Sequence, residues 1–156
     1  MIREDFVAHL PALLRIERAC FARPQWGADH FLRDLPGKWE LSALLMEHGA
    51  VAGFVVASEV VAGSCHLHRM AVLPEMQGRG LGGAAVRALE RRAAARGLRM
   101  VTLELDAEHG DTEPFYRRLG YLLLQAAERE TYAKAKGKAL RPDRRIMSAS
   151  IRSGDT

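Results

Sequence analysis

Cysteine is scarce in this chain of 156 residues, which has only Cys20 and Cys65. That excludes a disulfide framework as the organising device and fits a reducing, cytoplasmic compartment. Aromatic residues make up 6%, and they are not interleaved with Lys and Arg as on a nucleic-acid surface. No apolar run reaches the ~18 residues that a membrane span needs. The opening MIREDFVAHLPALL carries acids and a proline and does not match a secretory signal. An excess of one charge is confined to one end. From Glu128 onward eight Lys and Arg stand against four acids, so the formal charge of +4 belongs to the C-terminal segment. Residues 128–144 are expected to form a basic, solvated loop, open to an acidic partner, and residues 152–156 a disordered tail.

Hydrophobic residues make up 48% of the chain, enough for one domain over 1–156 with a real core. Ile2-Arg3-Glu4 is read as a short first strand. Pro11 suits the first turn of a helix, and Leu10, Leu13, Leu14, Glu17 and Phe21 recur at helical spacing to about Cys20. The chain breaks at Pro24 and Gly27, and a second short helix is expected from Ala28 to Leu35. Trp39–Met46 and Val51–Ser58 read as a hairpin. From Ser64 a central strand alternates, with Cys65, Leu67 and Arg69 on one side and His66, His68 and Met70 on the other. The two histidines share a face without a third ligand, so they read as polar residues near a cleft rather than as a metal site.

The most informative stretch runs from His66 to Gly97. The strand end Met70-Ala71-Val72 is closed by Pro74, and a turn follows: Gln77-Gly78-Arg79-Gly80-Leu81-Gly82-Gly83. Glycine lets backbone N–H groups approach a ligand where a Cβ would stand in the way. A helix begins there, with Leu81, Ala84, Ala85, Ala88 and Leu89 on one face. Its unpaired N–H groups and positive dipole end suit a phosphate or pyrophosphate. Gly78, Gly80 and Gly83 also spell G-x-G-x-x-G, with Asp106 at roughly the distance a dinucleotide-binding fingerprint asks. Against a nicotinamide-dinucleotide enzyme, Leu73–Met76 separate strand from turn, and too few βα units follow.

Beyond Gly97 a strand, Met100–Leu105, carries Glu104 inside an apolar run, a costly placement unless the carboxylate is paired or faces a cleft. A polar loop, 106–112, leads to a helix from Glu113 through Leu119. Tyr121–Ala126 and Arg145–Ile151 read as further strands.

Gln77, Gly80 and Gly82 fit the pattern Q/R-x-x-G-x-G/A behind an R-M-A-V-x-P strand, and Phe115–Tyr121, FYRRLGY, fits a motif written LYxxxGF. Together they closely resemble the GCN5-related N-acetyltransferases, and the helix–break–helix with Phe21, Pro24 and Trp26 resembles the acceptor side of the RimI type, which modifies protein N-termini. The same two aromatic residues would also serve simply to cover the core edge. The resemblance implies an α/β fold with a mixed, mainly antiparallel sheet of six or seven strands and about four helices. It implies acetyl-CoA as co-substrate and direct acetyl transfer to a primary amine, either a protein N-terminus or a small amine. A non-catalytic acyl-CoA-binding module is the alternative on the same fold. Oligomeric state stays open, a homodimer included.

The resemblance also assigns residues. The backbone of Met70, Ala71 and Val72 would pair with the pantetheine arm. Gln77, Gly78, Arg79, Gly80, Leu81 and Gly82 would hold the pyrophosphate. Tyr116 would protonate the departing thiolate. Glu104 aligns with the family's strand glutamate and is the candidate base, unless it is only a strand carboxylate paired with an Arg. His109 stands where the family has an asparagine that contacts the pantetheine arm, which makes it a cofactor-binding candidate and, with His68, a rival base.

Overall fold

The computed structural model describes residues 2–23, 26–105, 112–137 and 144–151. Six strands form one sheet: β1 Ala43–Glu47, β2 Ala50–Ser58, β3 Ser64–Val72, β4 Met100–Leu105, β5 Leu122–Leu123 and β6 Arg145–Ser150. Their order is β1-β2-β3-β4-β6-β5. The β3–β4 pair is parallel and all other pairs are antiparallel. This is the mixed, mainly antiparallel sheet that the resemblance implies.

Local chemistry explains the connections. The β1–β2 hairpin turns on His48-Gly49, both at positive φ (50° and 79°), the backbone of a two-residue turn that matches strand twist. A parallel pair needs a long crossover, supplied here by a short 3-10 turn, Pro74–Met76, and the helix Leu81–Ala95, which is α5 in chain order. Gly97, at φ 76°, follows the end of α5. The helix buries Ala85, Val86, Leu89 and Ala93. Its inward face is therefore rotated from the expected one, since Ala84 is exposed.

Each face of the sheet carries its own core. On one, α5 and α6 (Glu113–Arg118) pack over Val55, Cys65, Leu67, Val101, Leu103 and Met147. Tyr121 donates from its hydroxyl to Glu90 of α5 at 2.9 Å and ties the end of the second motif to the crossover helix. On the other face, α1 (Ile2–Ala8), α2 (Leu10–Cys20) and α3 (Ala28–Leu32) cover Val51, Phe54, Val56 and Ala71. The α2 stripe includes Glu17, wholly buried, because its carboxylate receives the guanidinium of Arg69 from β3 (Nε to Oε1 3.0 Å).

Several expectations fail. Residues 2–8 form a helix rather than a strand. Phe6 is its buried residue, packed edge-on against Phe31 and Trp39 at 6.5 and 5.6 Å between ring centroids. The start of the run read as the first hairpin strand is a one-turn helix, α4, Lys38–Leu41. Most of the expected basic loop is helix α7, Ala126–Lys136. Glu128 accepts from the Gln125 N–H at 3.3 Å, and Gly137 leaves the helix in the left-handed region. Seven α-helices are thus present among the described residues, not about four. The strand expected over 121–126 shrinks to Leu122–Leu123, because α7 starts at Ala126.

Lys38 shows how α4 is fixed. Its side chain is wholly buried, and its ammonium donates to the carbonyls of His30, Phe31 and Arg33 at 3.1, 2.8 and 2.5 Å. It serves as the C-terminal cap of α3. Net worth is about 1 kcal/mol per hydrogen bond and more for a charged donor. Lys38→Met is therefore expected to cost about 2–4 kcal/mol. An unchanged denaturation midpoint would show that water satisfies those carbonyls equally well.

Candidate active site

The parallel pair β3–β4 is hydrogen-bonded only from Ser64↔Met100 to Leu67↔Leu103. Beyond that, β3 runs on to Val72 and β4 to Leu105 without pairing, so the two strands part. Met70, Ala71 and Val72 remain paired with β2 on their other edge. Gly53 allows this: a Cβ there would lie 2.3 Å from the Ala71 carbonyl oxygen. The Val72 carbonyl accepts from the Gln77 side-chain amide at 2.9 Å and from the Cys20 thiol at 3.2 Å.

A β-bulge interrupts the β2–β3 ladder beside the point where β3 and β4 part. Val56 pairs with Arg69 but Ala57 pairs with Leu67, so His68 is the extra residue. The bulge shifts the phase of the strand. Cys65, Leu67 and Met70 pack on the α5 side, whereas Arg69 reaches Glu17 of α2. The expected alternation, with Arg69 beside Leu67 and Met70 beside the histidines, is thereby corrected.

The glycine turn lies at the mouth of this gap. Gln77, Gly78, Arg79 and Gly80 are exposed, with Gly78 and Gly80 at φ 79° and 81°. Only glycine adopts that backbone without strain. Gly80 is the N-cap of α5 and has open space where a Cβ would be. Leu81 and Gly82 form the first turn of the helix, and Gly82 leaves room for the ring of Phe115, 3.2 Å from its would-be Cβ.

The two candidate catalytic side chains approach from opposite faces. Tyr116 of α6 belongs to the core on the α5 side. It is 8% exposed, and burial pushes its phenol up to about 12. Its hydroxyl makes no hydrogen bond to a described residue. Glu104 of β4 points to the other face, under α7. Lys136 Nζ lies 3.0 Å and Arg144 Nη1 3.4 Å from its Oε2, with His66 Nε2 at 3.8 Å. The candidate base is thus also a paired strand carboxylate, and both sequence readings of it describe one geometry.

His66 is buried, with Nδ1 2.8 Å from Thr102 Oγ1 and 3.2 Å from the Tyr132 hydroxyl. His68 Nε2 lies 2.6 Å from Ser58 Oγ. Burial lowers both imidazoles, His68 to about 4 and His66 well below its ordinary value. Their rings sit 4.8 Å apart. His68 is therefore neutral across the physiological range and does not titrate near pH 6.5. His109 and Asp106 lie outside the described residues.

Sequence reasoning missed Tyr132 and Lys136, because an 11-residue helix with a single buried side chain shows no apolar stripe. Beneath α7 lies a cavity of about 280 Å³, lined by Val60, Val61, His66, Leu124, Tyr132 and neighbouring side chains. At the break after α2, Arg69 stacks on Phe21 at 3.9 Å and on Trp26 at 5.4 Å from the ring centroids. Phe21 and Trp26 therefore do cover a core edge, and that edge borders β3.

The sheet order, the parted parallel strands and the glycine-capped crossover helix define an acyl-transferase fold of one kind. The family model described as Acetyltransferase (GNAT) family matches residues 10–121. The [ribosomal protein bS18]-alanine N-acetyltransferase of Escherichia coli K12 is 31% identical over 112 residues, which span 72% of this chain and 74% of that protein. The crystal structure of the Escherichia coli ribosomal-protein-S18-alanine N-acetyltransferase superposes with a TM-score of 0.70 at 25% identity, covering 95% of this chain and 92% of that one. The PaiA N-acetyltransferase of Thermoplasma acidophilum, crystallised in complex with coenzyme A, shares the fold at a TM-score of 0.64 and 13% identity, over 94% and 93% of the two chains. The chain belongs to the acetyltransferase (GNAT) family. No helix among the described residues is long and apolar enough to cross a membrane.

Proposed function

We propose that this protein transfers the acetyl group of acetyl-CoA to the α-amine of a protein N-terminus. Acetyl-CoA-dependent N-acetyl transfer is the reaction of its family. The choice of a protein N-terminus rests on the relative that acetylates an alanine of a ribosomal protein, which this chain matches over most of its length. One observation supports the reading most: β4 leaves β3 after Leu103, and the next residue, Glu104, lies on the face opposite the core that holds Tyr116.

Several features fit acetyl-CoA as substrate. The edge of Met70, Ala71 and Val72 that faces away from β2 offers backbone groups to the amides of the pantetheine arm, although the Val72 carbonyl already accepts from Gln77 and Cys20. Backbone N–H groups from Gly78 through Gly82 lie at the N-terminus of α5, beyond Gln77, whose own N–H donates to the Pro74 carbonyl at 3.3 Å, and Arg79 adds charge for the pyrophosphate. Glu104 takes a proton from the acceptor ammonium, the free amine attacks the thioester carbonyl, and Tyr116 gives a proton to the leaving thiolate. Transfer is direct. Burial pushes the Cys65 thiol up to about 12 and raises that of Cys20, so neither is an activated nucleophile.

Two experiments test this. Peptides beginning with alanine, offered beside a panel of small amines, should be the acetylated products. Acetylation confined to a small amine would overturn the assignment of acceptor. Gly80→Val forces a branched residue into the left-handed region where phosphate approaches. Affinity for acetyl-CoA is expected to fall at least about tenfold, or ~1.4 kcal/mol. Calorimetry showing unchanged affinity in the folded variant would remove the pyrophosphate argument.

A further inference from the structure

Glu104 already holds a primary amine. Lys136 is the last residue of α7, and from there its side chain runs back under the helix so that Nζ rests 3.0 Å from Glu104 Oε2 and 5.5 Å from the Tyr132 ring centroid. Both side chains of the pair are only 14% exposed. If Glu104 deprotonates acceptors, an amine in contact with it occupies the position from which an acceptor attacks. We infer that Lys136 is an internal acceptor, acetylated on Nζ by acetyl-CoA bound to its own chain.

The inference rests on the assignment of Glu104 as the base. The Nζ–C bond forms as the thioester C–S bond breaks. Of the two protons that the lysine ammonium gives up, one ends on the thiol of coenzyme A and the other passes through Glu104 to solvent. The product amide carries no charge, so the ion pair between α7 and Glu104 is lost. The contact of Glu104 Oε2 with Arg144 remains.

The chain supplies its own control. It has four lysines: Lys38, Lys134, Lys136 and Lys138. Lys134 lies two residues away on the same helix but is turned to solvent, 79% exposed and 3.9 Å from Glu130. Uncatalysed acetylation follows exposure and favours Lys134. Acetylation assisted by Glu104 favours Lys136, by about 10²-fold if the base contributes its usual share.

The experiment incubates the full chain with acetyl-CoA, in the presence and absence of a peptide beginning with alanine, and maps acetyl groups by mass spectrometry over time. One acetyl per chain is expected on Lys136, ahead of Lys134, with a rate constant that does not change when the enzyme is diluted at fixed acetyl-CoA. Lys136→Arg keeps a cation beside Glu104 but offers no amine to acetylate, and should lose this modification while remaining folded by circular dichroism. Acetylation of Lys134 before Lys136, a rate that falls on dilution, or an unmodified Lys136 would each overturn the inference. The peptide arm separates the two failures. If the peptide is acetylated and Lys136 is not, the internal acceptor falls and the proposed function stands. If neither is acetylated, both fall.

Discussion

Replacing Tyr116 with Phe is expected to cut the rate of acetyl transfer about 10²-fold, within the range of general acid catalysis, while leaving acetyl-CoA affinity nearly unchanged. The substitution is nearly isosteric. The ring is held edge-on by Phe115 and Tyr121, at 5.0 and 5.8 Å between centroids, and Phe fills the same space. Only the hydroxyl is lost, and no described side chain depends on it. Burial holds that phenol protonated up to about pH 12. As an acid it is functional below that pKa, so the wild-type rate should show no alkaline limb from Tyr116 up to pH ~10, two units short of the shifted pKa. A phenol so raised is a weak acid toward a free thiolate. The burial that raises it acts on an unpaired thiolate in the same way, because desolvation disfavours either anion. Single-turnover measurement is the right check, since slow product release masks chemistry in the steady state. A variant with a near-normal single-turnover rate would reduce Tyr116 to a packing residue.

The parts of this site that depend on local pattern are legible in the sequence. The glycine turn is one: Gly78 and Gly80 take the left-handed backbone that only glycine adopts freely, and α5 starts at Leu81. The FYRRLGY segment is another, with Tyr116 buried and Tyr121 bonded to α5. What the sequence hides is set by tertiary contact. Strand alternation assumes an unbroken ladder, and the bulge at His68 reverses which face Arg69 and Met70 occupy. A bulge leaves no mark in a run such as HLHRMAV, because every residue there tolerates extended backbone. Helix α7 is missed for a different reason. Ala, Glu and Lys favour helix strongly, and Glu128 and Gly137 mark its ends, but Tyr132 is its only buried residue, so the charge excess hides the helix. In α1 the short IREDFVA also buries only Phe6, and one apolar contact cannot distinguish a two-turn helix from a strand.

Glu104→Gln is expected to lower the rate at pH 7 by about 10²-fold, because glutamine keeps the shape and the acceptor oxygen but takes no proton. The loss should shrink as pH rises past about 8, the ordinary pKa of an α-amine, because the acceptor then arrives already deprotonated. The rivals behave otherwise. His68 is lowered by burial to about 4, so it is neutral throughout this range, and His68→Ala should leave the pH dependence in place. If His109 is the base, its replacement by Ala and not that of Glu104 produces the loss rescued by alkali. A purely structural Glu104 also makes a distinct prediction. Its ion pairs with Lys136 and Arg144 tie α7 and the start of β6 to β4, so disrupting them would lower stability and depress the rate equally at every pH. Rate–pH profiles at saturating acetyl-CoA, taken with the thermal midpoint of each variant, separate these cases. A pH-independent loss with a lowered midpoint would remove Glu104 from the chemistry and leave it as the residue that anchors α7.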